Sequence, residues 1–389
     1  CLAFRVAYFE KLPMTPKIEQ FFAESKPDTP YLVVDLDIVA QNYQRLCDEL
    51  PDTEIFYAVK ANPADPVLAL LRDLGSNFDA ASIYEIEQCL ALGIAPERLS
   101  FGHTVKKENH IQRAFEAGIR QFAFDSVQEL EKLARAAPGA SVYCRYLTPN
   151  DGADWPLSDK FGCHPDYAVE LLCNAADLGL RASGVSFHVG SQQRDPAVWD
   201  AALFTAAEIF SDMAGRGIKL SLLNLGGGFP SHYRTPMSEL SVHTDTIKRS
   251  LRHHFGDDLP QIIVEPGRYI PGDAGVIQSE IILISRKSPD AKKRWVYLDI
   301  GKFGGLPEVL DEAIQYRIRT PHDGGATGPV ILAGPTCDEV DVIYDAAGYE
   351  LPLDLTVGDR IEILSAGAYT ASYSSVGFNG FPPLKEYYI

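Results

Sequence analysis

The chain has 389 residues, 46% hydrophobic and 23% charged, and a formal net charge of −18. This length and composition fit a globular protein of two domains. The acidic balance disfavours nucleic acid, whose phosphates it would repel, while tolerating a small cationic ligand.

No apolar run reaches the roughly 18 residues of a membrane helix. The seven cysteines are odd in number and form no CxxC pair, which argues against a disulfide framework or a zinc site and for reduced thiols in the cytoplasm. Residues 1–13 read as an upstream or added extension, since Met14-Thr15-Pro16-Lys17 resembles a natural start. A strand expected over 31–37 closes an N-terminal segment, 1–37, that joins the C-terminal part of the chain.

From 38 to 270, β-rich runs at 55–59, 77–81, 99–102, 121–125, 141–147, 184–188, 222–225 and 262–265 alternate with helical patterns. In 82–92, for example, Ile83, Ile86 and Leu90 are apolar and Glu85 and Glu87 polar. Eight strand–helix units match a (β/α)₈ barrel, although an open doubly wound sheet shows the same alternation. The polar residues favour the barrel. Lys60, Asp79, His103, Arg145, His188, Gly226 and Glu265 fall at or just past the C-terminal ends of different strands, and a barrel gathers those ends into one ring. From 271 to 389, β-rich runs at 276–285, 295–300, 330–333 and 359–364 are separated by turns without long helices, as in an all-β domain.

Chemistry concentrates at a few places. Lys60 closes the apolar run Phe56-Tyr57-Ala58-Val59; buried, such an amine is a Schiff-base candidate, and exposed it is a surface group. Gly226-Gly227-Gly228 follows an apolar strand, where bare backbone N–H groups can cradle an anion or simply turn the chain. Glu265-Pro266-Gly267-Arg268 sets opposite charges around a fixed turn. His188-Val189-Gly190-Ser191 ends another strand, and Gly334-Pro335-Thr336-Cys337-Asp338 puts a thiol and a carboxylate after 330–333.

Together these motifs resemble the pyridoxal-phosphate basic amino-acid decarboxylases of the ornithine decarboxylase family, in its bacterial form, from about Lys17 to the C-terminus. The resemblance implies an alanine racemase-like fold type III architecture, a (β/α)₈ barrel followed by a β domain. It makes Lys60 the Schiff-base lysine of pyridoxal 5′-phosphate, with His188 stacked on the ring and Glu265 at the pyridine nitrogen. Ser191, Gly226, Gly227, Gly228, Arg268 and Tyr369 would hold the phosphate, with Asp79, Glu85 and Arg145 near the lysine. Cys337 would reprotonate the substrate Cα after CO₂ loss. Asp338 and Glu312 would meet the distal ammonium, Asp311 standing where animal relatives carry tyrosine. Phe378-Asn379-Gly380-Phe381 matches the family's closing motif. The family's sites are shared across a homodimer, which Lys160 and Asp341 would bridge.

The expected reaction is decarboxylation of a basic L-amino acid, L-ornithine to putrescine first and L-lysine to cadaverine beside it. Arginine needs a longer pocket, and diaminopimelate would be repelled by the paired acids. A barrel-type racemase would set a cation, not Glu265, at the pyridine nitrogen. A cofactor-free regulatory homologue could have lost Lys60, the glycines or Cys337, and this chain keeps them all.

Overall fold

A computed structural model of the chain describes residues 14–157 and 160–389; the expected extension 1–13 lies outside them. In chain order the first strands are β1 (Tyr31–Val34), β2 (Thr53–Ala58), β3 (Asn77–Ala80), β4 (Leu99–Phe101), β5 (Gln121–Phe124) and β6 (Ser141–Arg145). They are followed by β7 (Ala153–Trp155), β8 (Arg181–Ser186), β9 (Ser191–Gln193), β10 (Leu222–Asn224) and β11 (Gln261–Val264). The rest is β-rich: β12 (Gly275–Ser285), β13 (Arg294–Leu298), β14 (Ile318–Arg319), β15 (Thr327–Ala333), β16 (Val342–Tyr344), β17 (Glu350–Pro352), β18 (Arg360–Leu364) and β19 (Lys385–Tyr388).

The chain divides into two units. The larger holds Ala40–Pro230 and Ser238–Tyr269, and its strands β2, β3, β4, β5, β6, β8, β10 and β11 form a closed parallel barrel. The closing pair, Ile262↔Thr53 to Val264↔Ile55, joins the last strand to the first, so the open-sheet alternative is excluded. Phe56, Ala123, Tyr143, Leu222 and Ile263, one from each of five strands, pack as a buried cluster. The outer helices are capped as their sequences dictate. Ser82 accepts the N–H of Glu85 and Ser126 that of Glu129, each at the start of a helix. The expected strand 141–147 stops at Arg145, and a small antiparallel sheet of β7 and β9 pairs Ala153 with Gln193 and Trp155 with Ser191.

The second unit contains the described residues up to Val39, Ser231–Met237 and Ile270–Ile389. Here β1 runs antiparallel to β12, Tyr31↔Gln278 to Val34↔Gly275, and parallel to β19. The strand ends at Val34 because a helix, Leu36–Glu49, begins directly after it. Another helix, Pro16–Glu24, has Thr15 as its N-cap and Pro16 in its first turn. Its Ile18 and the preceding Met14 pack with Tyr31, Val33 and Val276. Ser231–Met237, which falls inside the 38–270 segment, sits with this unit for a local reason. The Arg234 N–H donates to the Gln315 carbonyl (2.8 Å), its guanidinium to the carbonyls of Ala347 (2.5 Å) and Gly348 (2.9 Å), and His232 pairs with Asp273 (2.6 Å). Among the described residues no helix is long and apolar enough to cross a membrane.

Candidate active site

At the C-terminal end of β2 a 3₁₀ turn, Val59–Ala61, carries Lys60. Val59 and Ala61 are buried but Lys60 is exposed. Lys60 therefore stands in a turn rather than at the strand end, because the chain leaves β2 one residue earlier than expected. Its positive charge is felt around the barrel mouth. It favours the ionised forms of Asp79, Glu85 and Glu265 and opposes protonation of His103 and His188.

Asp79, in β3, is buried and accepts a hydrogen bond from Ser100 Oγ (2.9 Å). Burial, reinforced by the negative charge of Glu265, pushes its carboxyl well above the usual range. A Cβ at Gly102 would stand 1.9 Å from Asp79 Oδ1, so glycine is required there. Glu265 directly follows β11. Burial raises its carboxyl too, opposed by a hydrogen bond from Asn224 Nδ2 (2.5 Å) and by the charges of Lys60 and Arg145. Arg145 ends β6 with its guanidinium 5.6 Å from the Phe161 ring centroid.

His188 lies two residues past β8. Its Nδ1 accepts the Gly190 N–H (3.1 Å), which leaves the proton on Nε2. Burial first, then the charges of Arg145 and Lys60, hold its pKa well below the ordinary histidine value, so the ring is neutral. Glu85 does not face solvent from its helix's first turn. Its carboxylate turns back to accept the Ala81 N–H (2.7 Å), and burial raises its pKa. His103 follows β4, its carbonyl held by Lys106 Nζ (2.7 Å); that ammonium is itself buried against Glu129 (2.9 Å).

An anion cradle adjoins these groups. Arg268, only 3% exposed, donates to Ser191 Oγ from Nε (3.2 Å) and Nη2 (3.0 Å). The Gln193 N–H donates to the Gly228 carbonyl (2.9 Å), tying β9 to the glycine loop. A Cβ would meet the Phe187 carbonyl at 2.2 Å from Gly226, the Glu265 carbonyl at 2.7 Å from Gly227 and Val189 at 2.8 Å from Gly228. The loop thus lies against β8 and β11 with no room for side chains. The Gly226 N–H is engaged by Asn224 Oδ1 (2.8 Å), whereas those of Gly227 and Gly228 make no hydrogen bond among the described residues. Two free N–H groups, a hydroxyl and a guanidinium form a donor set for a phosphate.

Sequence reasoning missed Asn224, which links Glu265 to the glycine loop from a fully buried position. The available signal was an amide side chain near the end of an apolar strand, just ahead of the glycines. Tyr143 was missed as well. Its hydroxyl is buried close to Ser100, and the charges of Glu265 and Asp79 act on it, reinforcing burial in raising its pKa.

The remaining predicted residues belong to the β unit. Cys337 and Asp338 are exposed in the irregular loop after β15, and Asp338 Oδ1 accepts the Val340 N–H (3.0 Å). Tyr369 takes a left-handed backbone (φ 56) in the segment after β18, beside Gly367, where a Cβ would stand 1.9 Å from the Pro271 carbonyl. The Glu312 carboxylate accepts N–H groups from Asp345 (2.6 Å), Ala346 (2.8 Å) and Ala347, and so works as a loop anchor. Asp341 is 3% exposed and accepts three hydrogen bonds from Lys302 and Thr336 within its own chain. Charge reversal there would break the loop before it could report on a dimer. Lys160 adjoins residues 158–159, which are outside the described set, and its ammonium lies 5.0 Å from the Phe161 centroid.

A closed parallel barrel with an amine-bearing turn, buried carboxylates and an anion cradle at its C-terminal end is the framework of an enzyme holding a phosphorylated aldehyde cofactor. Residues 36–272 match the pyridoxal binding domain of the pyridoxal-dependent decarboxylases, and the chain belongs to that family, within its ornithine/lysine decarboxylase group. It is 35% identical over 354 residues to the lysine/ornithine decarboxylase of Selenomonas ruminantium, covering 91% of this chain and 88% of that one. It is 34% identical over 369 residues to the ornithine decarboxylase of Schizosaccharomyces pombe, covering 92% and 83%. The arginine decarboxylase of Paramecium bursaria Chlorella virus, solved bound to agmatine, superposes with a TM-score of 0.87 at 28% identity, covering 96% and 99%. The chain is a pyridoxal-phosphate-dependent decarboxylase of a basic amino acid.

Proposed function

We propose that the chain converts L-ornithine to putrescine and CO₂, with L-lysine to cadaverine as its slower second reaction, as a homodimer with shared sites in the cytoplasm. The observation that carries the chemistry is the ring of Lys60, Asp79, Arg145, His188 and Glu265 around the barrel mouth beside the Gly226–Gly228, Ser191 and Arg268 cradle.

When bound, the cofactor supplies a protonated pyridine ring that accepts the electron pair left as CO₂ departs. Lys60 would provide the amine that holds the cofactor's aldehyde. The cradle would hold the phosphate. Glu265 keeps the proton on the pyridine nitrogen, and its burial leaves that pairing little screened. Asp79 and Arg145 set the charge beside it. His188, kept neutral by its burial, would add no cation beside the cofactor ring to compete for the electron pair. Cys337 Sγ delivers a proton to Cα, and Asp338 receives the distal ammonium; the Glu312 carboxylate is engaged elsewhere, so we assign that amine to Asp338 alone.

The relatives named lysine/ornithine and ornithine decarboxylase support the substrate. The exposure of Cys337 on its own chain supports a shared site, since a proton donor works best where water is excluded. Six free thiols among the described residues suit a reducing compartment. Ornithine and lysine differ by one methylene, worth about 10–200-fold in discrimination. Steady-state rates should therefore rank ornithine above lysine within that range, and both above arginine and diaminopimelate; a reversed order would refute the substrate assignment. Mixing Lys60→Ala and Cys337→Ala proteins under subunit exchange tests the shared site. Heterodimers carry one intact site, so activity should return to about one quarter of wild type when the sites act independently. Exchange without recovery would put Cys337 in its own chain's site.

A further inference from the structure

We propose that Asn379 is a positioning residue for the Cys337 thiol, an inference that rests on the assignment of Cys337 as proton donor. The loop from Gly334 to Asp341 has no helix or strand of its own, so something else must define where the thiol points. Two anchors do so, at consecutive residues. Asp341 Oδ2 accepts from the Thr336 N–H (3.2 Å) and hydroxyl (2.7 Å), Oδ1 accepts the Lys302 N–H (2.8 Å), and the Asp341 carbonyl accepts the Gly334 N–H (2.8 Å). A Cβ on Gly301 or Gly334 would lie 2.1 or 2.3 Å from the Asp341 carboxylate, which explains both glycines.

One residue further on, the Cys337 N–H donates to Asn379 Oδ1 (2.8 Å). Asn379 sits in the short turn Phe378–Gly380 with a left-handed backbone (φ 51), a conformation asparagine tolerates better than most residues. The turn is itself fastened. The Phe378 and Phe303 ring centroids are 4.5 Å apart, and the Phe303 carbonyl accepts the Ser375 N–H (3.0 Å). With the amides of Thr336 and Cys337 both held, rotation about Cα–Cβ is the main freedom left to the thiol. Among the described residues, Asp341 secures the loop as a whole and the Asn379 side chain holds the backbone N–H of the residue that bears the sulfur.

A reacting group displaced by about 1 Å can lose up to 100-fold in rate. Asn379→Gly keeps the left-handed turn and removes the acceptor, and Asn379→Asp keeps an acceptor oxygen. Amide hydrogen exchange at Cys337 in the full chain reads the tether without reference to activity, and kcat and KM of the loaded enzyme read its consequence. Exchange at Cys337 should accelerate about tenfold in Asn379→Gly, the equivalent of one net hydrogen bond, and stay near wild type in Asn379→Asp. Relative to wild type, kcat should fall about 10- to 100-fold in Asn379→Gly with KM little changed, and Asn379→Asp should restore most of it.

Unchanged exchange in Asn379→Gly overturns the proposal. So does faster exchange with wild-type kcat while Cys337→Ala is impaired, a result that leaves the role of Cys337 standing. A Cys337→Ala enzyme with full kcat overturns both. Loss of exchange protection and kcat in Asn379→Asp as well would also reject Asn379 as the acceptor that matters.

Discussion

Asn224→Asp isolates the electrostatics on which the candidate site depends. The substitution is nearly isosteric and keeps an oxygen to accept the Gly226 N–H, so the glycine loop should stay in place. What changes is the contact with Glu265. Asn224 Nδ2 now donates to Glu265 Oε1 at 2.5 Å, a charge-assisted bond worth about 2 kcal/mol, or roughly 1.5 pKa units. Aspartate would remove that donor and add a negative charge. At about 4 Å and an effective dielectric near 20, two like charges cost roughly 4 kcal/mol, about three further units. The pair would relieve most of this by sharing one proton. Burial already raises the Glu265 carboxyl, so the variant should push the pair further toward its protonated form and weaken the hold proposed for Glu265 on the pyridine nitrogen's proton. The acidic limb of the pH–rate profile should move up by at least about 1.5 units, and kcat at pH 7 should fall by roughly 10- to 100-fold. A steady-state pH series with a circular-dichroism check of the fold measures this. A wild-type profile in a folded Asn224→Asp protein would refute the pairing of Glu265 with the cofactor nitrogen.

Glycine substitutions separate packing from backbone strain. Gly226→Ala puts a Cβ 2.2 Å from the Phe187 carbonyl at φ 63, so overpacking and left-handed strain combine to about 2–5 kcal/mol. Gly217→Ala, at φ 82 with nothing within 4 Å, should cost only the backbone part, about 1–2 kcal/mol. Urea unfolding that ranks the two equally would contradict the packing argument. His188 gives a pH signature. Its folded pKa lies well below 6.5 because burial disfavours the charged ring, so its contribution to stability is present above 6.5 and is lost as pH falls below that value. Unfolding free energies between pH 7 and 5 should therefore drop more steeply in wild type than in His188→Gln; equal slopes would mean that the ring titrates normally.

The barrel was legible in the sequence because its parts are local. Apolar runs of strand length alternate with amphipathic segments whose serine caps and acidic first turns sit where the helices begin. The β-rich last third declares itself by turns and the lack of helical periodicity. The strand-end polar residues were legible for the same reason, since Lys60, Asp79, Arg145, His188 and Glu265 each follow or end a recognisable apolar run. What a period cannot show is how a side chain is used once the chain has closed. Lys60 fits the pattern of a buried strand-end amine, yet β2 yields to a 3₁₀ turn before it and the residue is exposed.

Glu312 fits an acid available to a substrate, and Asp341 one available to a partner, but each carboxylate is held by hydrogen bonds from its own chain. All the donors to Glu312 are backbone N–H groups over thirty residues away, as is the Lys302 N–H that reaches Asp341, whose other donors are the N–H and hydroxyl of nearby Thr336. Every residue except proline carries such a backbone donor, so no residue type marks the contact in advance. Asn224 went unnoticed, and Asn379 was read only as part of a closing motif, for a related reason: an amide acquires its meaning from what stands within about 3 Å of it. The sequence by itself therefore determined the elements, the barrel and the residues able to do the chemistry. Only the tertiary structure decided which carboxylates are already engaged, which glycines are bare because a backbone carbonyl or a carboxylate occupies the space, and which asparagines hold the reactive groups in place.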